Sequence, residues 1–198
     1  MDTLTDYVAF EQTIKGSRFL SELFPCQSQT QARDLLKAQK SKYVDSTHVV
    51  HAFICGKGGE IMGMSDDGEP SGTAGRPVLD VLKGRNCTNV MITVTRWFGG
   101  TLLGTGGLVK AYSGGTKQVI QKADSLKLFS KLVQKKEFTF STNYNIYKLI
   151  KNIISQYNIT ELSEGFGTDI TISGQIEENQ FDLFKENLTN LSNGKIIL

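Results

Sequence analysis

Twelve residues, Arg96-Trp97-Phe98-Gly99-Gly100-Thr101-Leu102-Leu103-Gly104-Thr105-Gly106-Gly107, hold five glycines, a guanidinium and the only tryptophan. Glycine lets a backbone take positive φ and approach a ligand without a Cβ in the way. Exposed amides at the start of a helix attract anions, through direct hydrogen bonds and through the helix dipole. Arg96 adds a planar fork suited to phosphate or carboxylate, Trp97 offers a stacking face, and Lys110 could extend an anion site. Neither a Walker loop nor a dinucleotide fingerprint is present: no G-x-x-x-x-G-K-[ST] occurs, and Val109 stands where the last glycine of G-x-G-x-x-G belongs. No ATP or NAD site follows, and no cofactor is expected. The plainer alternative is that the glycines serve tight turning, with Arg96 in a structural ion pair.

A second segment, Asp66-Asp67-Gly68-Glu69-Pro70-Ser71-Gly72-Thr73-Ala74-Gly75, places three carboxylates within four residues. They could hold a cation, orient a basic ligand, or pair with arginines such as Arg76 and Arg96. The spacing does not continue to the glutamate an EF-hand requires, so no metal site is expected. Pairing with the arginines would make this segment the acidic wall of a cleft whose anion-facing wall is Arg96–Gly107. His48 and His51 fall on a strand-like run, and alternation turns them to opposite faces, so they cannot jointly chelate a metal. His48 could share a face with the glycine-rich loops, as a general base or as a hydrogen-bonded structural histidine. Tyr112 reads equally well as a core residue. No nucleophile elbow or zinc-binding helix motif occurs.

Both segments lie in an N-terminal region that reads as α+β. Strands are predicted over 9–15, 18–24, 47–55, 60–65, 89–95 and 128–133, and helices over 30–39, 77–83 and from the glycine-rich segment to about Asp124. Gly84 is expected to end the middle helix. The nearly all-apolar run Asn89–Thr95 predicts a central strand. The C-terminal third gives β-α-β-β-α-β, the ferredoxin-like pattern. It comprises a strand Lys136–Thr142, a helix capped by Asn143, strands Ile159–Ser163 and Asp169–Gly174 joined by the turn 164–167, a second helix, and a last strand Lys195–Leu198. The predicted boundary is between residues 131 and 132.

Bulk properties narrow the function classes. Of 198 residues, 39% are hydrophobic and 21% charged, which suits a globular fold. Residues 1–131 carry 16 basic and 12 acidic side chains, and the remainder 6 and 8, so a domain of net +4 precedes one of −2. That falls short of the strongly basic footprint of a dedicated DNA binder. Cys26, Cys55 and Cys87 are odd in number and widely spaced, which points to reduced thiols and a cytoplasmic setting. No signal-peptide pattern and no membrane-spanning run is seen.

Four ordered motifs resemble the YigZ/IMPACT family. These are Lys15-Gly16-Ser17-Arg18-Phe19; His48-x-x-x-Ala52; Asp66-Asp67-Gly68-Glu69-Pro70-x-Gly72-Thr73-Ala74-Gly75-x-Pro77; and Thr95-Arg96-Trp97-Phe98-Gly99-Gly100-x-x-Leu103-Gly104-x-Gly106-Gly107-Leu108-Val109. The C-terminal pattern is similar to that of the bacterial YigZ branch. The resemblance implies an N-terminal two-layer α/β sandwich like ribosomal-protein domain 2. It also implies a ferredoxin-like C-terminal domain like the last domains of elongation factor G. Eukaryotic members regulate translation, so the implied role is that of a non-enzymatic factor binding RNA, the ribosome or a translation-associated protein. The expected ligand-binding residues are Arg96, Trp97, Gly99, Gly100, Gly104, Gly106, Gly107 and Lys110, faced by Asp66, Asp67 and Glu69, with His48, Arg18 and Arg76 as further candidates. The alternative is an enzyme acting on a small phosphorylated or carboxylated substrate, with the three carboxylates and His48 as acid/base groups and Arg96 with the loop amides stabilising charge.

Overall fold

Alternation of apolar and polar residues along the first half of the chain produces strands whose pairing sorts the two kinds of side chain onto opposite faces. The computed structural model describes residues 1–198, which divide into two units, Met1–Leu132 and Val133–Leu198. The first holds β1 (Asp2–Leu4), β2 (Val8–Ile14), β3 (Ser17–Pro25), α1 (Gln29–Lys42), β4 (His48–Cys55), β5 (Ile61–Ser65), α2 (Gly75–Arg85), β6 (Cys87–Thr88), β7 (Val90–Trp97), α3 (Gly104–Ser125) and β8 (Phe129–Lys131). Five strands form a fully antiparallel sheet in the order β2-β3-β7-β4-β5. The apolar strand β7 is central, as its composition predicts, because both its faces are covered.

Val50, Ala52, Ile54, Ile92 and Val94 face α2 and α3, which contribute Val78, Leu82, Leu108, Tyr112 and Val119 to one large core. Helix α1 crosses the other face over a smaller cluster that includes Cys26, Phe53, Cys55 and Met91. Ser28 caps α1 by accepting from the Gln31 amide, and Lys40 and Lys42 in its last turn complement the dipole. Two details differ from the sequence reading. Helix α2 runs past Gly84 to Arg85, and Asn86 ends it in the left-handed conformation that asparagine tolerates. Strands β1 and β6 are too short to carry a periodic signal, yet with β8 they form a second small sheet.

The second unit holds β9 (Lys135–Thr142), α4 (Tyr144–Ile154), β10 (Thr160–Phe166), β11 (Ile170–Glu177) and α5 (Glu178–Leu191), with the sheet order β10-β11-β9. Phe138, Phe140, Ile170, Ile172 and Ile176 point inward at alternate positions and meet Ile150, Phe184 and Leu188 of the helices. The Asn143 carboxamide caps α4, accepting from the Asn145 and Ile146 amides. Strand β10 continues through the predicted turn to Phe166, because Gly165 and Phe166 keep their partners Thr171 and Ile170. The predicted last strand does not form: Ile196 is buried, but its amide donates to Ser192 Oγ at 2.9 Å instead of entering the sheet. Apolar burial at that segment therefore comes without a ladder. The two units are α+β domains. No helix in either is long and apolar enough to cross a membrane.

Candidate functional site

Strand register assembles the floor of a cleft in the first unit. Arg96 on β7 lies directly opposite Phe19 on β3 and His48 on β4, so all three side chains share the α3-facing side of the sheet. The segment between β5 and α2 then lowers Glu69 onto this row. Arg96 Nη1 donates to Glu69 Oε1 at 2.7 Å, Tyr112 OH donates to the same oxygen at 2.7 Å, and His48 Nε2 stands 3.8 Å from it. Both charged side chains are buried, Arg96 at 5% and Glu69 at 8% exposure. A buried ion pair is tolerable only when further hydrogen bonds satisfy its members. Tyr112 supplies one and Ser17, 3.3 Å from Nη2, another. Burial, and then the Glu69 carboxylate, push the Tyr112 phenol well above its ordinary range, so it stays a donor.

The other two carboxylates serve the loop itself. Asp66 accepts from the amides of Gly72, Ala74 and Gly75, and so caps α2, whose own N-cap Ala74 has no side chain to do it. Desolvation would raise the Asp66 pKa, but these amides together hold it below its ordinary value. Asp67 pairs with Lys40 and accepts from the Val49 amide at 2.7 Å. The expectation of three carboxylates facing the arginines is therefore corrected: only Glu69 meets Arg96. Arg76 pairs with Asp80 along α2, because i and i+4 share a helix face.

His48 sits on the cleft side. Its Nδ1 is 2.8 Å from the Asp67 carbonyl, which can only accept, so Nδ1 carries the proton and Nε2 faces the cleft. His51 lies on the other face, beneath α1, where burial and then Lys40 lower its pKa. Trp97 leaves the cleft for the same reason of alternation. Its ring lies 3.7 Å beneath the Arg18 guanidinium, and its Nε1 donates to Asp45, on the face away from Arg96. Arg18 is thus occupied outside the cleft as well. Lys110 projects from the second turn of α3 into solvent and does not line the cleft.

The glycines divide into distinct roles. Gly99 lies against Gly16, where a Cβ would fall 1.8 Å from the Gly16 carbonyl carbon, so backbone contact requires it. Gly100 and Gly104 have φ of 85° and 71°, which open the turn into α3. A Cβ on Gly107 would come 3.1 Å from that of Leu103. Gly106 has open space and ordinary φ, so the fold itself does not demand glycine there. Helix α3 starts from Leu103 with no side-chain cap and no acidic residue in its first turn.

The resulting cleft has a volume of about 460 Å³, bounded by the Gly68–Pro70 segment on one side and the start of α3 on the other. Phe98, Leu102, Leu103, Thr105 and Leu108 line it beside Arg96 and His48. Sequence reasoning passed over these side chains, although Phe98 and the two leucines stood within the glycine-rich segment. No grouping of three or more His, Cys, Asp or Glu side chains capable of holding a metal occurs.

This cleft lies within the stretch that matches a family model. Residues 15–120 match the Impact N-terminal domain, and an IMPACT family member from Haemophilus influenzae is 34% identical over 96% of this chain and 92% of its own length. The chain belongs to the IMPACT family. YvyE, an IMPACT family member of Bacillus subtilis, is 33% identical over 93% of this chain and 83% of its own. Residues 140–195 match a domain of unknown function, DUF1949. A crystal structure of a hypothetical protein covers 99% of this IMPACT-family chain, and 94% of that chain is covered, with a TM-score of 0.71 and 28% identity. Both walls of the cleft thus come from the Impact N-terminal domain.

Proposed function

We propose that this IMPACT-family chain is a non-enzymatic factor in translation-linked regulation, and that it engages RNA, the ribosome or a translation-associated protein through the Arg96 cleft. The translation context is the one the family resemblance implies. The observation that carries the binding role is the Arg96–Glu69–Tyr112 cluster. Its charges are matched within the protein, which gives a rigid floor instead of a reactive group. Beside it, the uncapped start of α3 offers amides to an anionic group, and the half-exposed Phe98 offers an apolar contact.

One observation favours the rival reading of an enzyme for a small phosphorylated or carboxylated substrate. The Asp67 carbonyl fixes the tautomer of His48 with Nε2 toward the cleft, as a general base requires. Co-sedimentation with ribosomes and with RNA, and capture of translation proteins, at low and moderate salt test the binding role. Wild type is expected to retain a partner that Thr105→Asp, which sets a carboxylate at the start of α3, loses. Equal retention by both, or none by either, would remove the reading. A metabolite thermal-shift hit that is lost in His48→Gln, followed by turnover, would install the enzyme in its place.

A further inference from the structure

A second surface of the first unit, separate from the cleft, is shaped for a partner. Helices α2 and α3 pack side by side, and a groove of about 630 Å³ runs between them. Only these two helices line it, and it shares no lining residue with the Arg96 cleft. Pro77, Val81 and Gly84 of α2 face Val109, Ser113 and Ile120 of α3 across it. These positions recur every three to four residues on each helix, so two ridges bound a trough about two to three turns long. Val109 is 37% exposed, and Pro77 and Val81 are half-buried. Gly84 lies inside α2 with ordinary φ, and a Cβ there would meet nothing. Alanine is the better helix former, so α2 itself has no use for glycine at that point. The bare backbone instead deepens the trough and lets another chain come close.

Charge selects the occupant. Helices α2 and α3 carry six basic side chains and two acidic ones, a net +4 that equals the whole excess of residues 1–131. On the α2 rim the charges cancel: Asp80 pairs with Arg76 at 2.9 Å, and Arg85 with Asp2 at 2.9 Å and Asp124 at 2.8 Å. On the α3 rim they do not. Lys117 lines the groove, Lys110 stands two turns before it on the same flank, and both are exposed and joined to no carboxylate. A second copy of this face would set +4 against +4, which disfavours self-pairing here. A nucleic acid would bring phosphates and polar base edges to Pro77, Val81, Val109 and Ile120, which satisfy neither. An amphipathic helix with one acidic edge meets both the apolar floor and the lysines, and a helix laid in a groove is a recurring mode of recognition. We propose that the groove between α2 and α3 receives an amphipathic α-helix of a partner protein, with its apolar stripe on Val81, Val109 and Ile120 and its acidic edge along Lys110 and Lys117. This contact is independent of the cleft.

The test uses fluorescence anisotropy on the full chain. The probe is a fluorescein-labelled helical peptide with leucines at i, i+3, i+4 and i+7 and glutamates two turns apart on one flank. The same peptide with lysines in place of the glutamates, and a single-stranded RNA, are run beside it. The glutamate peptide is expected to bind, and the lysine peptide to bind about tenfold more weakly or worse. Gly84→Leu fills the trough from a position with open space, so it is expected to keep the wild-type melting temperature and to weaken the glutamate peptide about tenfold or more. Lys110→Glu combined with Lys117→Glu, at exposed positions, is expected to reverse the preference between the two peptides. Failure of the glutamate peptide to bind, equal binding of both peptides, or wild-type binding by a folded Gly84→Leu chain overturns the proposal. Loss of peptide binding in Thr105→Asp with retention in Gly84→Leu places the peptide in the Arg96 cleft and overturns it too. RNA binding that Gly84→Leu abolishes, or self-association that it abolishes, assigns the groove to another occupant with the same consequence.

Discussion

Replacing Glu69 with alanine removes the one anion that matches Arg96 and the one acceptor of the Tyr112 hydroxyl. Both partners stay where they are: Arg96 is 5% exposed and Tyr112 is fully buried in the main core. Breaking a buried ion pair from one side costs about 3–5 kcal/mol, because the surviving charge is left in a poorly solvating interior. The orphaned phenol belongs to the same network and does not add independently. The expected loss is thus about 4 kcal/mol. Glu69→Gln keeps the shape and an acceptor oxygen and is expected to lose roughly half as much. Arg96→Met combined with Glu69→Gln should be less damaging than the sum of the single changes, by about 1–3 kcal/mol. Urea unfolding followed by Trp97 fluorescence measures this directly, since the only tryptophan lies in the first unit. A Glu69→Ala loss below about 1 kcal/mol, or strict additivity in the double variant, would refute the view that the cluster is a matched structural floor.

Four further outcomes are expected. The Asp66 carboxyl has a folded pKa held below its ordinary 3.8, so its contribution is complete above that value and disappears as pH falls through the lowered one. Asp66→Asn should cost about 1–2 kcal/mol near neutrality, and the gap to wild type should close below about pH 4 in a urea-melt series. Burial pushes the Cys55 thiol up to about 12, Cys87 to about 11, and Cys26 upward as well, so an aromatic disulfide reagent at mildly alkaline pH should label none of them until the chain unfolds. Gly99→Ala should destabilise the first unit by about 3 kcal/mol or more, because its Cβ would meet the Gly16 backbone. Gly106→Ala, with open space around it, should raise the melting temperature slightly.

Much of the architecture was legible one-dimensionally. The nearly all-apolar run Asn89–Thr95 announced a central strand, and Asn143 announced the cap of the helix that forms as α4. Alternation also separated His48 from His51 correctly. These signals are local, because a helix or strand exposes its period within a few residues. The last segment shows the limit: Lys195–Leu198 has strand-like composition, yet whether it joins a ladder depends on which backbone groups are free nearby.

For the site, the sequence alone pointed to Asp66–Gly75 and Arg96–Gly107 as the two walls of one expected cleft, with an arginine–carboxylate pair as one of the ways they could be joined. Only the tertiary structure decided which carboxylate that is. Asp66, Asp67 and Glu69 are chemically near-equivalent in the chain, and what divides them is the set of donors that folding brings to each. These are the α2 amides for Asp66, Lys40 and the Val49 amide for Asp67, and Arg96 with Tyr112 for Glu69. Trp97 was the aromatic wall the sequence offered, and it was the sheet register that turned Trp97 under Arg18 and left Phe98 at the cleft instead. Spacing along a chain fixes which residues can share a face. The hydrogen-bond partners that give each of them its role come from elements far away in sequence, and those are set only when the fold closes.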